Sequence, residues 1–315
     1  MDHEPLLRFL PEDCVGTVQA IEPIVMGLSG AGVYGVTASR GAFILRLQGA
    51  KRAFISGTDE LFWTQPLLVL RRAADAGVAP PLVHVDEAAR ATVSQRISGM
   101  PLSAALGDPA QRQPMLASAV TQLRALHGLD ASGVHERDPF VYVRGTWAEQ
   151  HVRPGFPTWA AGLDATLERI AATLARDPRR ALSHNDCNPG NLLWDGQKVW
   201  LVDWDVAGVT HPLYDLATLA MFLNLDADAA TGLIALHEQR PPDEATRATF
   251  AALRHLAATL SGLTSLSLVP DLDILPAEPL ALPAFYAELR SGKLDLQQPS
   301  GQAAFGVALL RTVVA

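Results

Sequence analysis

The chain has 315 residues, of which 49% are hydrophobic and 18% are charged. This composition is typical of a soluble globular protein and excludes a disordered or fibrous one. The formal net charge of -8 at pH 7 argues against nucleic acid as a partner, because binding to the phosphate backbone requires a basic surface.

The length of the chain favours two lobes over a single small domain. Its two cysteines, Cys14 and Cys187, are too few for a disulfide scaffold. The N-terminus lacks a basic start followed by an apolar run, and no apolar stretch approaches the roughly 20 residues of a membrane span. We therefore expect a cytoplasmic protein without a membrane partner.

The first third of the chain predicts an antiparallel sheet. The stretch "GLSGAGVYGVTASRGAFILRLQ", residues 27–48, indicates a strand, a glycine-rich loop, a strand, a turn at Arg40 and Gly41, and a further strand. Apolar residues at helical spacing over residues 59–76 predict a helix that ends at Gly77. The stretches "PLVHVD" and "ATVSQRI" add two strands, and Ser98, Gly99 and Pro101 then suggest a hinge.

The remainder of the chain is predicted to be mostly helical. One β-hairpin interrupts it at residues 191–203, where Asp195 and Gly196 form a dipeptide favoured in hairpin turns. The sequence thus predicts an α+β protein with a small antiparallel β lobe at residues 1–97 and a larger helical lobe at 98–315. Helical segments are predicted at residues 110–128, 159–176, 213–237, 243–265, 280–290 and 301–313.

A cluster of polar residues precedes this hairpin in the stretch "LSHNDCNPGNLLWDG", residues 182–196. A turn at residues 195–197 would place Asn191 across from Trp200 or Leu201, with Asp203 two or three residues further along. At about 3.3 Å per residue, the strand would then bring Asp203 beside the loop that contains Asp186.

The oxygen-bearing side chains of Asp186, Asn191 and Asp203 would in that case converge, and oxygen ligands of this kind suit Mg²⁺. The alternative interpretation is that they are ordinary turn residues and a strand-end cap. That alternative explains each residue singly, but it gives no reason for their combination.

The order of these residues resembles the catalytic core of the aminoglycoside phosphotransferase and choline kinase family, whose members are related to protein kinases. The family pattern is His-x-Asp-x-x-x-x-Asn followed by a strand that ends in Asp-[Trp/Phe]-[Glu/Asp]. The resemblance implies a bilobal protein-kinase-like fold. The matching residues are His184, Asp186, Asn191, Asp203, Trp204 and Asp205, with Asp215 following in "HPLYDLA".

The same resemblance implies a Mg²⁺-dependent kinase that transfers the γ-phosphate of ATP to a small alcohol. Asp186 would accept or orient the proton of the acceptor hydroxyl, while Asn191 and Asp203 would hold Mg²⁺ on the nucleotide. His184 would be a structural residue of the loop. Asp215 would either cap a helix or brace the catalytic loop.

On the nucleotide side, Ser29, Gly30 and Gly32 would let backbone amides approach the phosphates. Arg46 occupies the position at which protein kinases carry a lysine, and its guanidinium can pair with phosphate oxygens. The backbone around Gln95 and Ile97 would contact adenine.

The acidic partner of Arg46 is ambiguous in the sequence. The family position falls near Gln65, and the nearest acid is Glu60, more than one helical turn earlier. Either Glu60 pairs with Arg46 through a shifted helix, or this ion pair is absent.

The acceptor is predicted to be a cationic amino alcohol of the choline, ethanolamine or thiamine type, with Trp204 and Asp205 as candidate contacts. An aminoglycoside or another sugar is the alternative acceptor. A catalytically silent nucleotide-binding module is the alternative of another class. A catalytic role for Cys187 is disfavoured, because a reactive thiolate requires an electropositive setting, and a hydrolase metal site is disfavoured because no HExxH motif occurs.

Overall fold

The structure is a computed structural model that describes residues 4–24, 32–48, 60–105 and 109–314. Its N-terminal part combines short helices with antiparallel strands. The elements in chain order are α1 (Glu4–Leu7), α2 (Glu12–Val15), β1 (Val18–Pro23), β2 (Gly32–Ala38), β3 (Gly41–Leu47), a π-helical turn (Glu60–Thr64), α3 (Gln65–Asp75), β4 (Leu82–Asp86), β5 (Ala91–Gln95), β6 (Met100–Pro101), α4 (Leu102–Ala105) and α5 (Pro109–His127).

Helices dominate the rest of the chain, with short strands between them. The elements are α6 (Pro139–Gln150), a 3-10 turn (Thr158–Gly162), α7 (Leu163–Leu174), β7 (Ala181–Ser183), β8 (Leu192–Trp194), β9 (Val199–Leu201), β10 (Gly208–Thr210), α8 (Leu213–Phe222), α9 (Ala227–Glu238), α10 (Glu244–Ser267), a 3-10 turn (Leu272–Ile274), α11 (Leu282–Arg290) and α12 (Pro299–Val314).

The chain divides into two compact units. Unit 1 contains Met1–His135 and Pro189–Val209, and unit 2 contains Glu136–Asn188 and Thr210–Ala315. Unit 1 therefore includes residues 98–135 and 189–209, which the sequence had placed in the helical lobe. The reason is local packing, because β6 pairs with β8 and α5 packs against β9.

Unit 1 contains a five-stranded antiparallel sheet in the order β1-β2-β3-β5-β4, which confirms the predicted sheet. Alternating side chains of its strands point into one apolar core that includes Val36, Leu45 and Val93. Arg46 lies next to Leu45 on β3, where it stands opposite Val33 on β2 and Thr92 on β5. Because successive side chains of a strand point to opposite faces, Arg46 points away from this core.

The β8–β9 hairpin also belongs to unit 1. Its register is shifted by one residue from the predicted pairing of Asn191 with Leu201, and by two from the alternative pairing with Trp200. Leu192 pairs with Leu201, and Trp194 pairs with Val199, so the loop contains the four residues 195–198. The Asp195 carboxylate stabilises this loop by accepting hydrogen bonds from the amides of residues 197 and 198, both at 2.8 Å.

The longer loop moves Asp203 closer to Asn191 along the ladder than the sequence predicted. The carbonyl of Asn191 accepts a hydrogen bond from the amide of Val202 at 2.9 Å. Asp203 therefore directly follows Val202, the residue whose amide bonds to Asn191.

Unit 2 is built around α10, whose buried side chains include Phe250, Leu256 and Leu263. Helices α6, α7, α8 and α12 pack against it. The predicted helix at residues 213–237 is in fact two helices, α8 and α9. The break follows from Asn224, which has a left-handed φ of 48°, and from Asp226, whose side chain caps α9.

Helix α6 was absent from the sequence prediction, although the sequence contains its start signal. Asp138 caps the helix by accepting from the amide of Phe140, and Pro139 occupies the first turn. Both features are typical of helix N-termini. Within the described residues, none of the helices combines the length and apolar character that crossing a membrane requires.

Two glycines bring α10 and α12 into close contact. A Cβ atom added at Gly306 would lie 2.7 Å from Cγ of Leu266 and 2.9 Å from the carbonyl oxygen of Gly262. A Cβ atom at Gly262 would lie 3.0 Å from the carbonyl oxygen of Gly306. The two backbones therefore touch at a point where a side chain does not fit.

We predict that Gly306→Ala destabilises the protein, because the new methyl group would force the two helices apart. The expected loss in the free energy of unfolding is about 1–3 kcal/mol, measured by chemical denaturation. The matched control is Gly232→Ala in α9, where an added Cβ meets no atom within 4 Å and should stabilise the helix by about 0.5–1 kcal/mol. Equal stability of the two variants would contradict the proposed packing.

Candidate active site

The loop that begins at His184 is held by the carboxylate of Asp215 in unit 2. Asp215 lies in the first turn of α8 and is fully buried. Its Oδ2 accepts a hydrogen bond from the backbone N–H of His184 at 2.8 Å, and its Oδ1 accepts one from that of Asn185 at 2.7 Å. Of the two roles considered for Asp215, this geometry favours the brace of the loop.

The braced loop presents Asp186, the predicted base. Its carboxylate is partly exposed, and its Oδ1 accepts a hydrogen bond from Nδ2 of Asn188 at 3.1 Å. From the sequence, Asn188 was expected to be no more than a turn residue. In the sequence, a contact between Asn188 and Asp186 was indicated only by their spacing of two residues.

Cys187 follows Asp186 but points into the protein interior, where it is fully buried. Burial raises the pKa of its thiol well above the ordinary value, and the carboxylates of Asp215 and Asp186 raise it further. Burial also raises the pKa of the neighbouring Tyr214, with the same two acids contributing. Both groups are therefore neutral near pH 7, which agrees with the prediction that Cys187 is not a nucleophile.

The two predicted metal ligands lie at the open end of the β8–β9 hairpin in unit 1. Asn191 precedes β8, and Asp203 follows β9 with a left-handed φ of 65°. The donors are one amide oxygen and one carboxylate, which fit Mg²⁺ because this ion commonly takes one or two protein oxygens and completes its shell with phosphate and water. In the described part of the chain, no group of three His, Cys, Asp or Glu side chains offers a different metal site.

Arg46 forms ion pairs with both acids that flank Trp204. Its Nη2 lies 2.5 Å from Oδ2 of Asp205 and 3.1 Å from Oδ1 of Asp203. Burial opposes the charge of the guanidinium, but the carboxylates of Asp203 and Asp205 outweigh burial and raise the pKa of Arg46. The structure thus supplies carboxylate partners for Arg46 that neither of the two alternatives from the sequence had anticipated.

Gln65, at the start of α3, is not a partner of Arg46. The Gln65 side chain is buried, and its Oε1 accepts a hydrogen bond from the backbone N–H of His135 at 2.7 Å. Gln65 therefore holds the backbone at His135, where the first segment of unit 1 ends. The side chain of Glu60, the other candidate, lies outside the described residues.

Trp204 and Asp205, the predicted acceptor contacts, have structural partners of their own. Trp204 is 6% exposed, and its indole N–H donates to the carbonyl of Leu201 at 3.1 Å. The carboxylate of Asp205 faces the guanidinium of Arg46. A cationic acceptor at Asp205 would have to compete with this arginine.

Of the predicted nucleotide contacts, Gly32 begins β2 opposite Leu47. Gln95 ends β5 with an exposed side chain, and Ile97 follows the strand with a half-buried one. Ser29 and Gly30 lie outside the described residues.

The structure brings the predicted residues together in two groups. Unit 1 contains the ion-paired residues Arg46, Asp203 and Asp205, and Asn191 lies on the same hairpin. Unit 2 contains the loop with Asp186 and its brace. The predicted proximity of Asp186 to Asn191 and Asp203 involves both units and stays a prediction.

Comparison with known proteins identifies relatives of this chain. Residues 20–250 match the model of the APH family, described as a phosphotransferase enzyme family. Protein LicA of Haemophilus influenzae is 35% identical to the chain over 51 residues, which are 16% of this chain. The chain therefore matches 19% of the length of that relative.

Several solved structures share the fold. A choline/ethanolamine kinase family protein from Mesorhizobium loti has a TM-score of 0.68 at 22% identity, with 98% of this chain and 94% of that chain covered. Choline kinase LicA from Streptococcus pneumoniae has a TM-score of 0.65 at 16% identity, with 98% and 97% covered. The ternary complex of aminoglycoside phosphotransferase APH(4)-Ia with AMP-PNP and hygromycin B has a TM-score of 0.61 at 17% identity, with 99% and 97% covered.

We predict that Asp215→Asn destabilises the protein, because an amide cannot accept both backbone hydrogen bonds of the loop. The expected loss is about 1–3 kcal/mol, the cost of leaving a buried polar group unsatisfied, and chemical denaturation would measure it. The control is Glu149→Gln at an exposed position of α6, which should change stability by less than about 0.5 kcal/mol. A stability of Asp215→Asn equal to that of the control would contradict the brace.

Proposed function

Because the chain belongs to the APH phosphotransferase enzyme family, whose model matches residues 20–250, we propose that it is an ATP-dependent kinase of small molecules. It transfers the γ-phosphate of ATP to a hydroxyl group of the acceptor. Phosphoryl transfer requires little covalent participation from the protein, so positioning and charge neutralisation provide most of the rate.

The ion-paired cluster of Arg46, Asp203 and Asp205 is the observation that carries this proposal. Its one positive and two negative side chains give a formal charge of -1, and a bound Mg²⁺ would change this to +1. A cluster with that charge attracts the polyphosphate of a nucleotide. Mg²⁺, when bound by Asn191 and Asp203, would neutralise charge on the phosphates.

Within this cluster we assign Arg46 to the phosphates and Asp205 to the positioning of Arg46. The arginine side chain is long and gains a fixed direction when a carboxylate pairs with it. Asp205 can keep this role while Asp203 turns to the metal. The acid that orients the β3 cation would then come from the segment after β9 and not from helix α3.

In unit 2, Asp186 is proposed to accept or orient the proton of the acceptor hydroxyl. Asp215 holds the backbone on which Asp186 is carried, and Asn188 donates to one of its oxygens. This hydrogen bond orients the Asp186 carboxylate, and a base must be positioned to act.

For the acceptor we propose a cationic amino alcohol of the choline, ethanolamine or thiamine type. The support is the description of two structural neighbours as choline or choline/ethanolamine kinases, together with the acidic net charge of the chain. The second candidate is an aminoglycoside, because another neighbour was crystallised with hygromycin B.

The proposal is tested by measuring ADP release with MgATP and a panel of acceptors that includes choline, ethanolamine, thiamine, simple sugars and aminoglycosides. We expect turnover with one class of acceptor. We also expect Asp186→Asn to reduce that turnover at least about 100-fold, the scale of a lost positioned base. The control, Asp228→Asn at an exposed position of α9, should keep full turnover.

Three outcomes separate the competing classes. Binding of MgATP without turnover of any acceptor would favour the silent nucleotide-binding module. Turnover that survives in Asp186→Asn would remove Asp186 from the role of base. Absence of both binding and turnover would overturn the kinase proposal.

We predict that Asp203→Ala weakens the binding of MgATP by at least about tenfold, equivalent to about 1.4 kcal/mol, because it removes the carboxylate ligand of the metal. The measurement is the rise in melting temperature on adding MgATP. Asp75→Ala removes the same charge from an exposed position of unit 1 and should leave that rise unchanged. An unaltered rise in Asp203→Ala would exclude Asp203 from the metal site.

A further inference from the structure

Unit 2 contains a cavity of about 840 Å³ whose lining does not include Asp186, Asp215 or His184. This volume is within the range of small-molecule sites, roughly 300–1,000 Å³. We call it the α10 cavity, because α10 contributes four of its lining residues, Ala251, Arg254, His255 and Ala258. The end of α8, the segment 277–283 and the end of α12 complete its lining.

The α10 cavity and the braced loop lie at opposite ends of α8. Asp215, which holds the loop, is in the first turn of this helix, whereas Met221 in its last turn lines the cavity. Met221 is six positions after Asp215, which is about 9 Å along the helix axis at 1.5 Å per residue. The cavity is therefore a separate feature of unit 2.

Basic side chains outnumber acidic ones in this cavity. Arg254 and Arg311 line it, together with the single acid Glu278. His255 also lines it, but burial and the nearby Arg254 and Arg169 lower the pKa of its imidazole, so it adds no positive charge near pH 7. This local excess of positive charge occurs in a chain whose formal net charge is -8. A concave surface focuses the field of the charges that line it, so the cavity attracts anions.

Arg254 is the more buried of the two arginines in this cavity. It is half-buried, and its Nη2 donates to the carbonyl of Leu225 at 2.8 Å. Burial lowers its pKa, and Asp226 opposes this effect only in part. Ion pairs raise the pKa of both Arg46 and Arg179, whereas within the described ranges no carboxylate forms an ion pair with Arg254.

Arg311, on α12, provides a second guanidinium. Its Cζ lies 5.4 Å from the centroid of the Trp159 ring, and its side chain is exposed. Two arginines that line one cavity can each bind an anionic oxygen pair through two parallel N–H groups. The lining of the cavity also includes the apolar residues Met221, Ala258, Leu282 and Ala308.

We propose that the α10 cavity binds a small anionic molecule that carries a phosphate or carboxylate group on an apolar body. The anionic group would pair with Arg254 and Arg311 and supply the counter-charge that Arg254 lacks, while the apolar body would contact the walls. This site is additional to the proposed phosphoryl transfer and does not depend on it.

The test uses phenyl phosphate and benzoate as probes with the full chain, in isothermal titration calorimetry. Benzyl alcohol tests the contribution of the apolar ring, and inorganic phosphate tests that of the anion. We expect saturable binding of phenyl phosphate or benzoate that is at least about tenfold weaker in Arg254→Gln, equivalent to about 1.4 kcal/mol. The exposed variant Arg311→Gln should weaken it as well.

Two further variants locate the binding site. Arg247→Gln changes an exposed arginine of α10 whose guanidinium contacts the carbonyl of Pro242, and it should bind the probes as the wild type does. Arg46→Gln should also bind them normally, because Arg46 belongs to unit 1. The melting temperature of each variant establishes that it is folded, and Arg311→Gln provides the decisive result if Arg254→Gln does not fold.

Several results would overturn the proposal. One is the absence of saturable binding of either probe to the wild type up to about 10 mM, a concentration tenfold above a weak Kd of about 1 mM. Another is equal binding of benzyl alcohol and phenyl phosphate, which would remove the role of charge. Loss of binding in Arg46→Gln, with retention in both cavity variants, would assign the anion to the phosphoryl-transfer residues instead. Measurements of ADP release do not enter these outcomes, so the two proposals fail independently.

Discussion

The loop that carries Asp186 depends on one buried carboxylate, that of Asp215. It accepts two backbone hydrogen bonds from consecutive residues, and its complete burial removes water as a competitor for them. A buried charge is costly unless it is hydrogen-bonded, so the loop and the first turn of α8 stabilise each other. The loop conformation includes Asn185 in the left-handed region, and the brace from Asp215 keeps that residue in place.

A second electrostatic arrangement organises the hairpin end of unit 1. Arg46 on β3 pairs with the two acids that flank Trp204, so the sheet and the segment after β9 are joined by charge. Asp203 adopts a left-handed backbone, and aspartate tolerates this region better than most residues. The same residues therefore serve local structure and fit the proposed metal and phosphate chemistry.

Unit 2 contains polar environments of opposite sign at the two ends of α8. The loop end is acidic. Burial is the largest cause of the raised pKa of Cys187, and the carboxylates at this end raise it further. The other end opens into a cavity with two arginines. Because charges in a protein act mainly over short distances at physiological salt, one acidic chain can offer a cationic site without changing its net charge.

The antiparallel sheet and most helices could be predicted from the sequence, because periodicity and turn residues are local properties. Motif order likewise indicated which residues form the candidate site. The sequence did not predict the register of the hairpin, whose four-residue loop is stabilised by hydrogen bonds to the Asp195 side chain. Only the tertiary structure shows which acids pair with Arg46. Asp205 lies 159 residues from Arg46 in the chain, and a contact at that separation depends on how the strands pack, which spacing along the sequence does not encode.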